Sequence, residues 1–451
     1  MNKKIFPFNL SGTVEIPASK SDSQRAILCA ALAKGKSVLY NIGKSNDEVD
    51  MLNAIETLGA FVKCVDNKKS IYEIDGTNFC KEGKDLELGE SGLGSRLLIA
   101  VLSSFESTFR LNGKGSLVNR PMDFYIQNLP KLGVQLQCQN NTLPIAVAGP
   151  LKPKEITVDG SLSSQFISGL LMAFANTEQA AVLHVQDLRS VNYVKMTLKT
   201  LHKFGVEIES NIDSPTKLKA VPSIDDIYKH IMGITEVDVH SATDSTMTTF
   251  RIKAKQTYIP TQYKIESDWS SASYWIVAKM LGADIEINGL DLESLQADKK
   301  LYEQFKIENL KNKNFEFDPS LVEGIFNFEF DATDCPDLFP ALAVLAAFQK
   351  STSIIKGVNR LKHKESDRGE VLKSEFEKLG VKIELIADEM HIHGTGKVKG
   401  GTINAHNDHR IAMCFGIAAL FADAAIEING AEAAGKSYPA FWEDLNRLTN
   451  N

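Results

Sequence analysis

One pattern recurs six times along the 451-residue chain, and it restricts the possible folds more than any other feature. Each copy has a Ser/Asp-rich opening, an apolar helix of small residues, a short strand, a second helix and another strand. The first copy contains SKSDSQRAILCAALA, the second ESGLGSRLLIAVLSSF and the last HNDHRIAMCFGIAALFA. A unit of this size cannot bury its own apolar face, so several units must pack around shared cores.

Six units divide naturally into two groups of three. This predicts an α/β fold of two similar lobes, with a cleft between them where ligands would bind. A longer gap separates the third copy from the fourth. It holds a segment near 211–262 that is polar and irregular at its beginning, and we interpret it as an insertion near a domain junction.

Composition restricts the compartment and the classes of partner. The 50 Lys+Arg and 57 Asp+Glu residues give a net charge of -7, which argues against a nucleic-acid binder that relies on bulk basicity. The six cysteines form no CxxC pair, which favours a reducing compartment without structural zinc. No signal-peptide core and no stretch of about 18 apolar residues is present, so we expect a cytoplasmic protein with no membrane span.

Positive side chains cluster where helices should begin. A helix N-terminus carries a charge of about +0.5, so cations there are repelled unless an anion lies between them. The cations in question are Lys20, Arg25, Arg96, Lys364, Arg368, Arg410 and Lys436. Any one of them could extend to solvent or pair with an acid. Their recurrence predicts a phosphate or carboxylate ligand held at several convergent helix N-termini.

Two carboxylates stand among these cations. Asp337 lies at the mouth of an apolar helix in TDCPDLFP, and Glu365 follows Lys364 in KESDR. A carboxylate in such surroundings can act as a general base or acid if burial and neighbours tune its pKa. The alternatives are a helix N-cap for Asp337 and a surface ion pair for Glu365.

Three other motifs carry weaker predictions. Residues 430–437 match the P-loop pattern, but only one short helix follows, so we retain only an anion contact at Lys436. His391 and His393 would share one face of a strand, and His406 and His409 could share one face of a helix. Neither pair has a third metal ligand nearby. Ser163 and Ser164 lack a nucleophile elbow, so with Gln165 they suit hydrogen bonding to a polyhydroxylated or phosphorylated ligand.

Together these segments resemble the 5-enolpyruvylshikimate-3-phosphate (EPSP) synthase family from the first unit to the last. The most specific motifs are SKSDSQR (19–25), NRPM (119–122), SSQ (163–165), KESDR (364–368) and NDHR (407–410). The resemblance implies two lobes, each of three βαβαββ units, with an active site that closes between them. It also implies a discontinuous first lobe (1–20 plus 265–451) and a second lobe (21–264).

The family transfers the enolpyruvyl group of phosphoenolpyruvate to the 5-hydroxyl of shikimate 3-phosphate and releases phosphate. The resemblance therefore implies two small anionic substrates and no metal or organic cofactor, and we expect a monomer. Residues implied to hold shikimate 3-phosphate are Lys20, Ser21, Arg25, Ser163, Ser164, Gln165, Ser190, Asp337 and Lys364, with Tyr193 alongside. Residues implied to hold phosphoenolpyruvate are Lys20, Gly92, Arg120, Gln165, Arg368, Arg410 and Lys436.

The chemistry requires a proton to leave the attacking hydroxyl and another to reach the methylene carbon of phosphoenolpyruvate. We assign the first transfer to Asp337 and the second to Glu365, with Lys20 and Lys364 as competitors. Neighbouring cations would stabilise the anionic tetrahedral intermediate.

Two positions depart from the family pattern. The loop expected to read Asn-Ala-Gly-Thr or Asn-Ser-Gly-Thr reads Glu90-Ser91-Gly92-Leu93, so Glu90 must point away, pair with a cation or weaken binding. Gly92 would leave room for close approach of a ligand. Arg360 stands where these enzymes commonly have asparagine.

The sequence leaves two alternative functions. The sister transferase that acts on UDP-N-acetylglucosamine usually has Cys or Asp shortly before the Arg-Pro that matches Arg120-Pro121, and residues 115–119 contain neither. A non-catalytic protein that binds anionic metabolites on the same scaffold is the other alternative, and the retained Asp337 and Glu365 argue against it.

Overall fold

The chain is described here from a computed structural model, which covers residues 1–80, 82–217, 245–305, 327–362 and 364–449. The middle of the predicted insertion, 218–244, lies outside the described residues.

The secondary structure alternates strands and helices along the whole described chain. The strands are β1 (Asn2–Ile5), β2 (Ser11–Glu15), β3 (Lys36–Tyr40), β4 (Phe61–Asp66), β5 (Ile71–Asp75), β6 (Asp85–Glu87), β7 (Thr108–Asn112), β8 (Gln135–Cys138), β9 (Ile145–Ala148), β10 (Glu155–Asp159), β11 (Ala181–Gln186), β12 (Ile208–Ser210), β13 (Thr216–Lys217), β14 (Thr246–Ile252), β15 (Gln262–Lys264), β16 (Asp284–Asn288), β17 (Glu329–Asp331), β18 (Thr352–Lys356), β19 (Lys382–Ile386), β20 (Glu389–His393), β21 (Gly401–Asn404) and β22 (Ile426–Asn429).

The helices are α1 (Lys20–Leu32), α2 (Asn46–Thr57), α3 (Gly92–Leu102), α4 (Asp123–Asn128), α5 (Ser164–Ala175), α6 (Val191–Lys203), α7 (Trp269–Met280), α8 (Lys300–Gln304), α9 (Phe339–Ala347), α10 (Arg368–Lys378), α11 (His409–Phe421) and α12 (Phe441–Thr449). Short 3-10 helices span Gly115–Asn119, Pro130–Leu132, Ala297–Lys299, Pro336–Leu338, Val358–Leu361 and Ala431–Lys436.

The described strands form six sheets that repeat one arrangement. Four of them have the orders β15-β3-β5-β4, β6-β7-β9-β8, β10-β11-β14-β12 and β17-β18-β20-β19. In each, the first two strands are parallel and the later pairs are antiparallel. The sheet β21-β22-β1 follows the same pattern, with the N-terminal strand at its edge, and β16 pairs in parallel with β2. This recurrence confirms the six-unit α/β fold expected from the sequence.

The apolar helix predicted at the start of each unit is present in all six units as α1, α3, α5, α7, α9 and α11. Their residues are almost all buried, as expected for helices that are apolar or small on every side. Five of these helices begin with a Ser or Asp side chain that accepts a backbone N–H bond of the first turn. These N-caps are Ser19, Ser91, Ser163, Asp268 and Asp408.

Among the described residues, the buried apolar side chains form two hydrophobic cores. One is drawn from residues 18–265, and the other from residues 5–16 and 269–448. The helices α1, α3 and α5 pack together in the first core, and α7, α9 and α11 pack together in the second. The division of the chain at 20/21 and 264/265 into separate lobes stays a prediction.

Two further observations concern the described residues. None of their helices is both long and apolar enough to cross a bilayer. All six cysteine thiols are free, and Cys29, Cys80, Cys335 and Cys414 are buried.

Candidate active site

A cavity of about 340 Å³ lies between the two cores, and most of the sequence-predicted residues line it. The N-terminal ends of α1, α3, α5, α10 and α11 all open onto it. The predicted residues in its lining are Lys20, Ser21, Gly92, Arg120, Ser163, Gln165, Tyr193, Asp337, Lys364, Glu365, Arg368 and Arg410. These residues come from segments spread along the chain, and the fold brings them to one place.

Four predicted residues do not line the cavity. The Arg25 guanidinium is buried behind it, where it donates to Thr197 Oγ1 at 2.8 Å and to the carbonyl oxygen of Ser21 at 2.7 Å. Ser164 is the buried first residue of α5. Ser190 is the buried residue before α6, and its backbone N–H donates to Asp334 Oδ1 at 2.6 Å. The fourth residue, Lys436, contacts a carboxylate discussed below.

Asp337 is not the N-cap that the sequence allowed as an alternative. It lies in the 3-10 helix before α9, and its Oδ1 accepts from Lys364 Nζ at 3.2 Å and from Arg368 Nη1 at 2.6 Å. Arg410 Nη2 lies 3.7 Å from Oδ2. Burial opposes ionisation, but Lys364, Arg410 and Arg368 outweigh it and hold the pKa of Asp337 well below its usual value. Asp337 is therefore an ionised carboxylate facing the cavity.

Glu365 is likewise not a surface ion pair, because its side chain is 16% exposed and lies in the cavity wall. Its two oxygens contact different arginines: Arg368 Nη2 donates to Oε2 at 2.6 Å, and Arg120 Nη2 lies 3.2 Å from Oε1. Burial opposes ionisation of Glu365 too, and these arginines overcome it and hold its pKa well below the usual value. Both predicted proton-transfer groups thus share one guanidinium, that of Arg368.

The Arg368 guanidinium is itself held from behind by Asp408. Arg368 Nε donates to Asp408 Oδ2 at 2.8 Å, and both side chains are at most 1% exposed. Because Asp408 also caps α11 through the N–H of Arg410, the carboxylate fixes Arg368 and the start of that helix together. Sequence reasoning assigned no role to Asp408, although its position before an apolar helix is a capping signal.

The remaining cations of the site have distinct partners. Lys20 Nζ lies 2.8 Å from Asp47 Oδ2. Burial would lower the pKa of Lys20, but Asp47 and Glu365 raise it above its usual value, so the ammonium keeps its proton. His409 is buried at the cavity wall, where burial and Lys20 hold its pKa well below the usual value. Its imidazole is therefore neutral.

The cavity has the electrostatics of an anion site. Its lining contains seven Lys and Arg residues and four Asp and Glu residues, an excess of three positive charges. Several buried arginine atoms have no acceptor among the described residues; these are the Nε atoms of Arg96, Arg120, Arg360 and Arg410 and the Nη1 atom of Arg410. Because buried donors without a partner are costly, this lining is suited to a ligand rich in anionic oxygens.

Gly92 makes room for an arginine. A Cβ atom on Gly92 would lie 2.4 Å from Arg120 Nη1, so the guanidinium fills the space beside the helix N-terminus that a side chain at position 92 would need. Arg96, which was noted at this helix start but not assigned to a substrate, lines the cavity and donates through Nη1 to Gln165 Oε1. The Arg96 guanidinium stacks over the Phe166 ring, with its carbon 4.7 Å from the ring centroid. This cation–π contact fixes the orientation of the Arg96 side chain.

Of the three possibilities for Glu90, the structure shows pairing with a cation. Glu90 Oε2 lies 2.9 Å from Lys436 Nζ and accepts the backbone N–H of Ser116 at 3.0 Å. Asn407 Nδ2 donates to the same oxygen at 3.1 Å. The Glu90 carboxylate lies against Gly115, where a Cβ atom would collide with it. Gly115 also has a φ of +56°, a conformation that favours glycine. The anion contact predicted for Lys436 is therefore made within the protein.

The histidine pairs have simple structural partners. His391 and His393 share one face of β20 as predicted, and each contacts a glutamate, Glu389 at 2.9 Å and Glu384 at 2.6 Å. The prediction that His406 and His409 share a helical face is wrong. His406 lies in the loop before α11 and contacts Glu375, whereas His409 is the first residue of the helix. Among the described residues no group of three His, Cys, Asp or Glu could hold a metal ion.

A buried carboxyl behind Asp337 makes stability depend on pH. Asp298 is 1% exposed and accepts from Ser270 Oγ, and burial followed by the charge of Asp337 raises its pKa to about 7. The folded state therefore holds a proton that the unfolded chain releases near its ordinary pKa of 3.8. This contribution to stability is complete below that value, falls as pH rises and is lost above about 7.

We expect Asp298→Asn to remove this dependence. Between about pH 4.5 and 7, the free energy of unfolding of the wild type should fall relative to the variant by up to about 1.4 kcal/mol per pH unit. Denaturant unfolding of both proteins at several pH values gives the difference between their free energies of unfolding. Other titrating groups, such as Asp22, contribute equally to both proteins and cancel in this difference. A difference that stays constant over this range would contradict the assignment.

Comparison with known proteins identifies the family. The family model described as EPSP synthase (3-phosphoshikimate 1-carboxyvinyltransferase) matches residues 7–233 and 215–445. A Clostridium acetobutylicum protein named 3-phosphoshikimate 1-carboxyvinyltransferase is 35% identical over 450 residues, covering 99% of this chain and 96% of the relative. A Clostridioides difficile protein of the same name is 34% identical over 462 residues, covering 99% and 97%.

Solved structures support the fold. An EPSP synthase from Acinetobacter baumannii superposes with a TM-score of 0.72 at 24% identity, covering 99% of this chain and 98% of that one. The enolpyruvyl transferase NikO from Streptomyces tendae gives 0.69 at 17% identity, covering 99% and 96%. At these identities the likeness concerns the fold alone. The full-length family match and the curated relatives go further: this chain belongs to the EPSP synthase (3-phosphoshikimate 1-carboxyvinyltransferase) family.

Proposed function

We propose that this chain transfers the enolpyruvyl group of phosphoenolpyruvate to the 5-hydroxyl of shikimate 3-phosphate and releases inorganic phosphate. The observation that carries the proposal is the pair of carboxylates, Asp337 and Glu365, held by the single guanidinium of Arg368 in a positively charged cavity. Family membership supplies the substrates. Both substrates carry a phosphate and a carboxylate, which suits the excess of cations.

We assign the substrate contacts by family resemblance and cavity position. The residues assigned to shikimate 3-phosphate, either in direct contact or as supports of those in contact, are Lys20, Ser21, Arg25, Ser163, Ser164, Gln165, Ser190, Asp337 and Lys364, with Tyr193 alongside. Phosphoenolpyruvate would contact Lys20, Gly92, Arg120, Gln165, Arg368, Arg410 and Lys436. The residues set back from the cavity, such as Arg25, would act by holding the helix ends that carry the others.

The first step is an addition. The 5-hydroxyl oxygen forms a bond to C2 of phosphoenolpyruvate while its proton passes to Asp337, and the C2–C3 double bond takes a proton from Glu365 at C3. The product is a tetrahedral intermediate that has a methyl group and still carries phosphate. Lys20, Arg120 and Arg368 surround the developing charge and stabilise it electrostatically.

The second step is an elimination. C3 returns a proton to Glu365, the double bond forms again, and the bond between C2 and the phosphate oxygen breaks. The electron pair of that bond leaves with the phosphate, which the same cations stabilise. The departing phosphate takes the hydroxyl proton from Asp337, so both carboxyl groups end in their starting protonation states, and no external oxidant, reductant or cofactor enters the balance.

The ionisation of Glu365 must change when substrates bind, because a proton donor has to be protonated. In the structure Arg368 and Arg120 keep it ionised. Phosphate and carboxylate groups placed against these arginines would offset their charge and raise the pKa of Glu365. Lys20 and Lys364 are the competing proton carriers. Burial lowers the pKa of Lys364, whose Nζ lies 3.2 Å from Asp337 Oδ1, so it could pass on the hydroxyl proton.

The test of this function is a phosphate-release assay with phosphoenolpyruvate and shikimate 3-phosphate, with each substrate omitted in turn as a control. We expect release only when both substrates are present, and none when UDP-N-acetylglucosamine replaces shikimate 3-phosphate. Binding of both substrates without phosphate release would favour the non-catalytic alternative. A cytoplasmic location and a monomeric state stay predictions.

Neutralisation of Lys436 by Glu90 leads to a prediction for phosphoenolpyruvate binding. The Glu90 carboxylate forms an ion pair with the Lys436 ammonium, which would otherwise attract the anionic substrate. In Glu90→Gln we expect the KM for phosphoenolpyruvate to fall about threefold to tenfold, because an ion pair with a competing group is removed. The KM for shikimate 3-phosphate should change by less than about twofold, because Lys436 is not assigned to that substrate.

Steady-state kinetics with each substrate varied separately measure these constants. Glu87→Gln removes an exposed carboxylate three residues earlier and is the matched control. A higher KM for phosphoenolpyruvate in Glu90→Gln would mean that Glu90 positions Lys436 for the substrate instead of competing with it.

A further inference from the structure

Arg360 reaches from one side of the cleft to the other. It lies in the 3-10 helix Val358–Leu361, which belongs to the second hydrophobic core, and it lines the cavity. Its Nη1 donates to the carbonyl oxygens of Ser161 at 2.6 Å and Leu162 at 3.1 Å, in the segment that leads into α5. Its Nη2 donates to Ser190 Oγ at 3.1 Å, immediately before α6.

The guanidinium therefore lies where two helices begin. Ser163 caps α5, and Ser190 precedes α6 in a left-handed conformation with φ 53° and makes no side-chain cap bond. Both helix ends carry partial positive charge, which repels a cation unless an anion is present. A second cation, Arg189, lies close enough to act on the charge of Arg360.

Acidic groups only partly compensate this positive charge. Asp334 and Asp388 act on Arg360 as counter-charges, and Asp334 Oδ1 is already engaged by the N–H of Ser190. The Nε atom of Arg360 is buried and has no acceptor among the described residues. Two helix N-termini, two arginines, the Ser163 and Ser190 hydroxyls and an unsatisfied guanidinium donor together match the recognition needs of a phosphate dianion.

We propose that Arg360 determines specificity for the phosphate group of the acceptor substrate, so that shikimate 3-phosphate is selected over unphosphorylated shikimate. This rests on the proposed function, which places shikimate 3-phosphate at Ser163 and Ser190. On binding, the guanidinium exchanges its contacts with the backbone carbonyl oxygens for contacts with phosphate oxygens. Before the phosphate binds, the same bonds join the two sides of the cleft.

The test compares Arg360→Asn, which keeps polarity without charge, and Arg360→Lys, which keeps charge without the planar fork. Lys362→Ala is the matched control, because it removes an exposed cation two residues away. Three quantities are measured for each protein: the KM for shikimate 3-phosphate, the KM for phosphoenolpyruvate and the inhibition constant of shikimate as a competitor of shikimate 3-phosphate. Thermal unfolding checks that the variants are folded.

For Arg360→Asn we expect the KM for shikimate 3-phosphate to rise about tenfold to a hundredfold. A rise of this size corresponds to the loss of charge-assisted hydrogen bonds to one phosphate group. Arg360→Lys should show a smaller rise. The KM for phosphoenolpyruvate and the inhibition constant of shikimate should change less than about threefold, because neither depends on the phosphate at this position.

Two results would overturn the proposal. One is an unchanged KM for shikimate 3-phosphate in Arg360→Asn. The other is an equal loss for shikimate and phosphoenolpyruvate, which would indicate a clamp between the two sides and no phosphate recognition. Calorimetric binding of shikimate 3-phosphate to the wild type and to Arg360→Asn gives the same comparison without turnover. Failure of the proposed transferase reaction would therefore be distinguishable from failure of the Arg360 assignment.

Discussion

Replacing Asp337 by asparagine is expected to lower kcat by at least about a hundredfold while substrate binding remains detectable. The substitution keeps the size of the side chain and removes only its ability to accept a proton. Asp337 contacts Lys364 and Arg368 at the cavity wall, so an amide in its place can still be held in a similar position. The loss should therefore appear in kcat, because the proton of the attacking hydroxyl no longer has its acceptor.

The surrounding charges sharpen this expectation. Removing the charge of Asp337 leaves Lys364 and Arg410 with one less counter-ion, which favours anionic ligands. We therefore expect the dissociation constant of shikimate 3-phosphate to change much less than kcat. Single-turnover and binding measurements on the same variant separate the two quantities.

Asp331→Asn is the matched control for this experiment. It removes an exposed carboxylate six residues earlier, while an asparagine there can still accept the N–H of Thr333. Its kcat should stay close to that of the wild type. Near-normal kcat in Asp337→Asn would contradict the assignment of Asp337 as the base and would transfer that role to Lys364.

The second large effect is expected on stability. In Arg368→Met, three carboxylates lose their shared partner, and one of them, Asp408, is completely buried. Removing one member of a buried ion pair typically costs about 3 to 5 kcal/mol, because the remaining charge stays buried without compensation. We expect a loss of this order in the free energy of unfolding of the part of the fold that holds α10 and α11. Turnover should be lost as well.

Arg447→Met provides the surface comparison. Arg447 is 48% exposed and pairs with Asp444 at 2.7 Å, a contact of the kind that contributes about 0 to 1 kcal/mol. Chemical denaturation of both variants under the same conditions gives the two values. A loss below about 1 kcal/mol in Arg368→Met would show that Asp408 and Glu365 find other partners or water, and the buried network would then have little energetic importance.

Much of the fold could be predicted because each unit repeats the same local signals. The apolar helices α1, α3 and α5 begin at Ser caps and are apolar or small on every side, which marks buried helices before any tertiary contact is known. The weak point was loop conformation. The short link between His406 and His409 contains residues with positive φ, which shift the start of α11 and separate the two rings.

The candidate site was predicted in composition more than in detail. Cations at helix N-termini imply a nearby anion, and this principle selected Lys20, Arg368 and Arg410, which line the cavity. It could not show that Lys436 would pair with Glu90, because residues 346 positions apart in sequence leave no local pattern. It also could not show Asp408 as the support of Arg368, or Arg360 as a bridge across the cleft. Such contacts depend on how the two halves of the chain pack together.

The most direct test of the proposed reaction is to run it in heavy water and analyse the products by NMR. Addition followed by elimination passes through a methyl group at C3, so the enolpyruvyl group of the product should carry deuterium. Phosphate should appear in an amount equal to that of the enolpyruvyl product. A product without deuterium, or phosphate released without modification of shikimate 3-phosphate, would contradict proton transfer at C3 and with it the central role of the Asp337 and Glu365 pair.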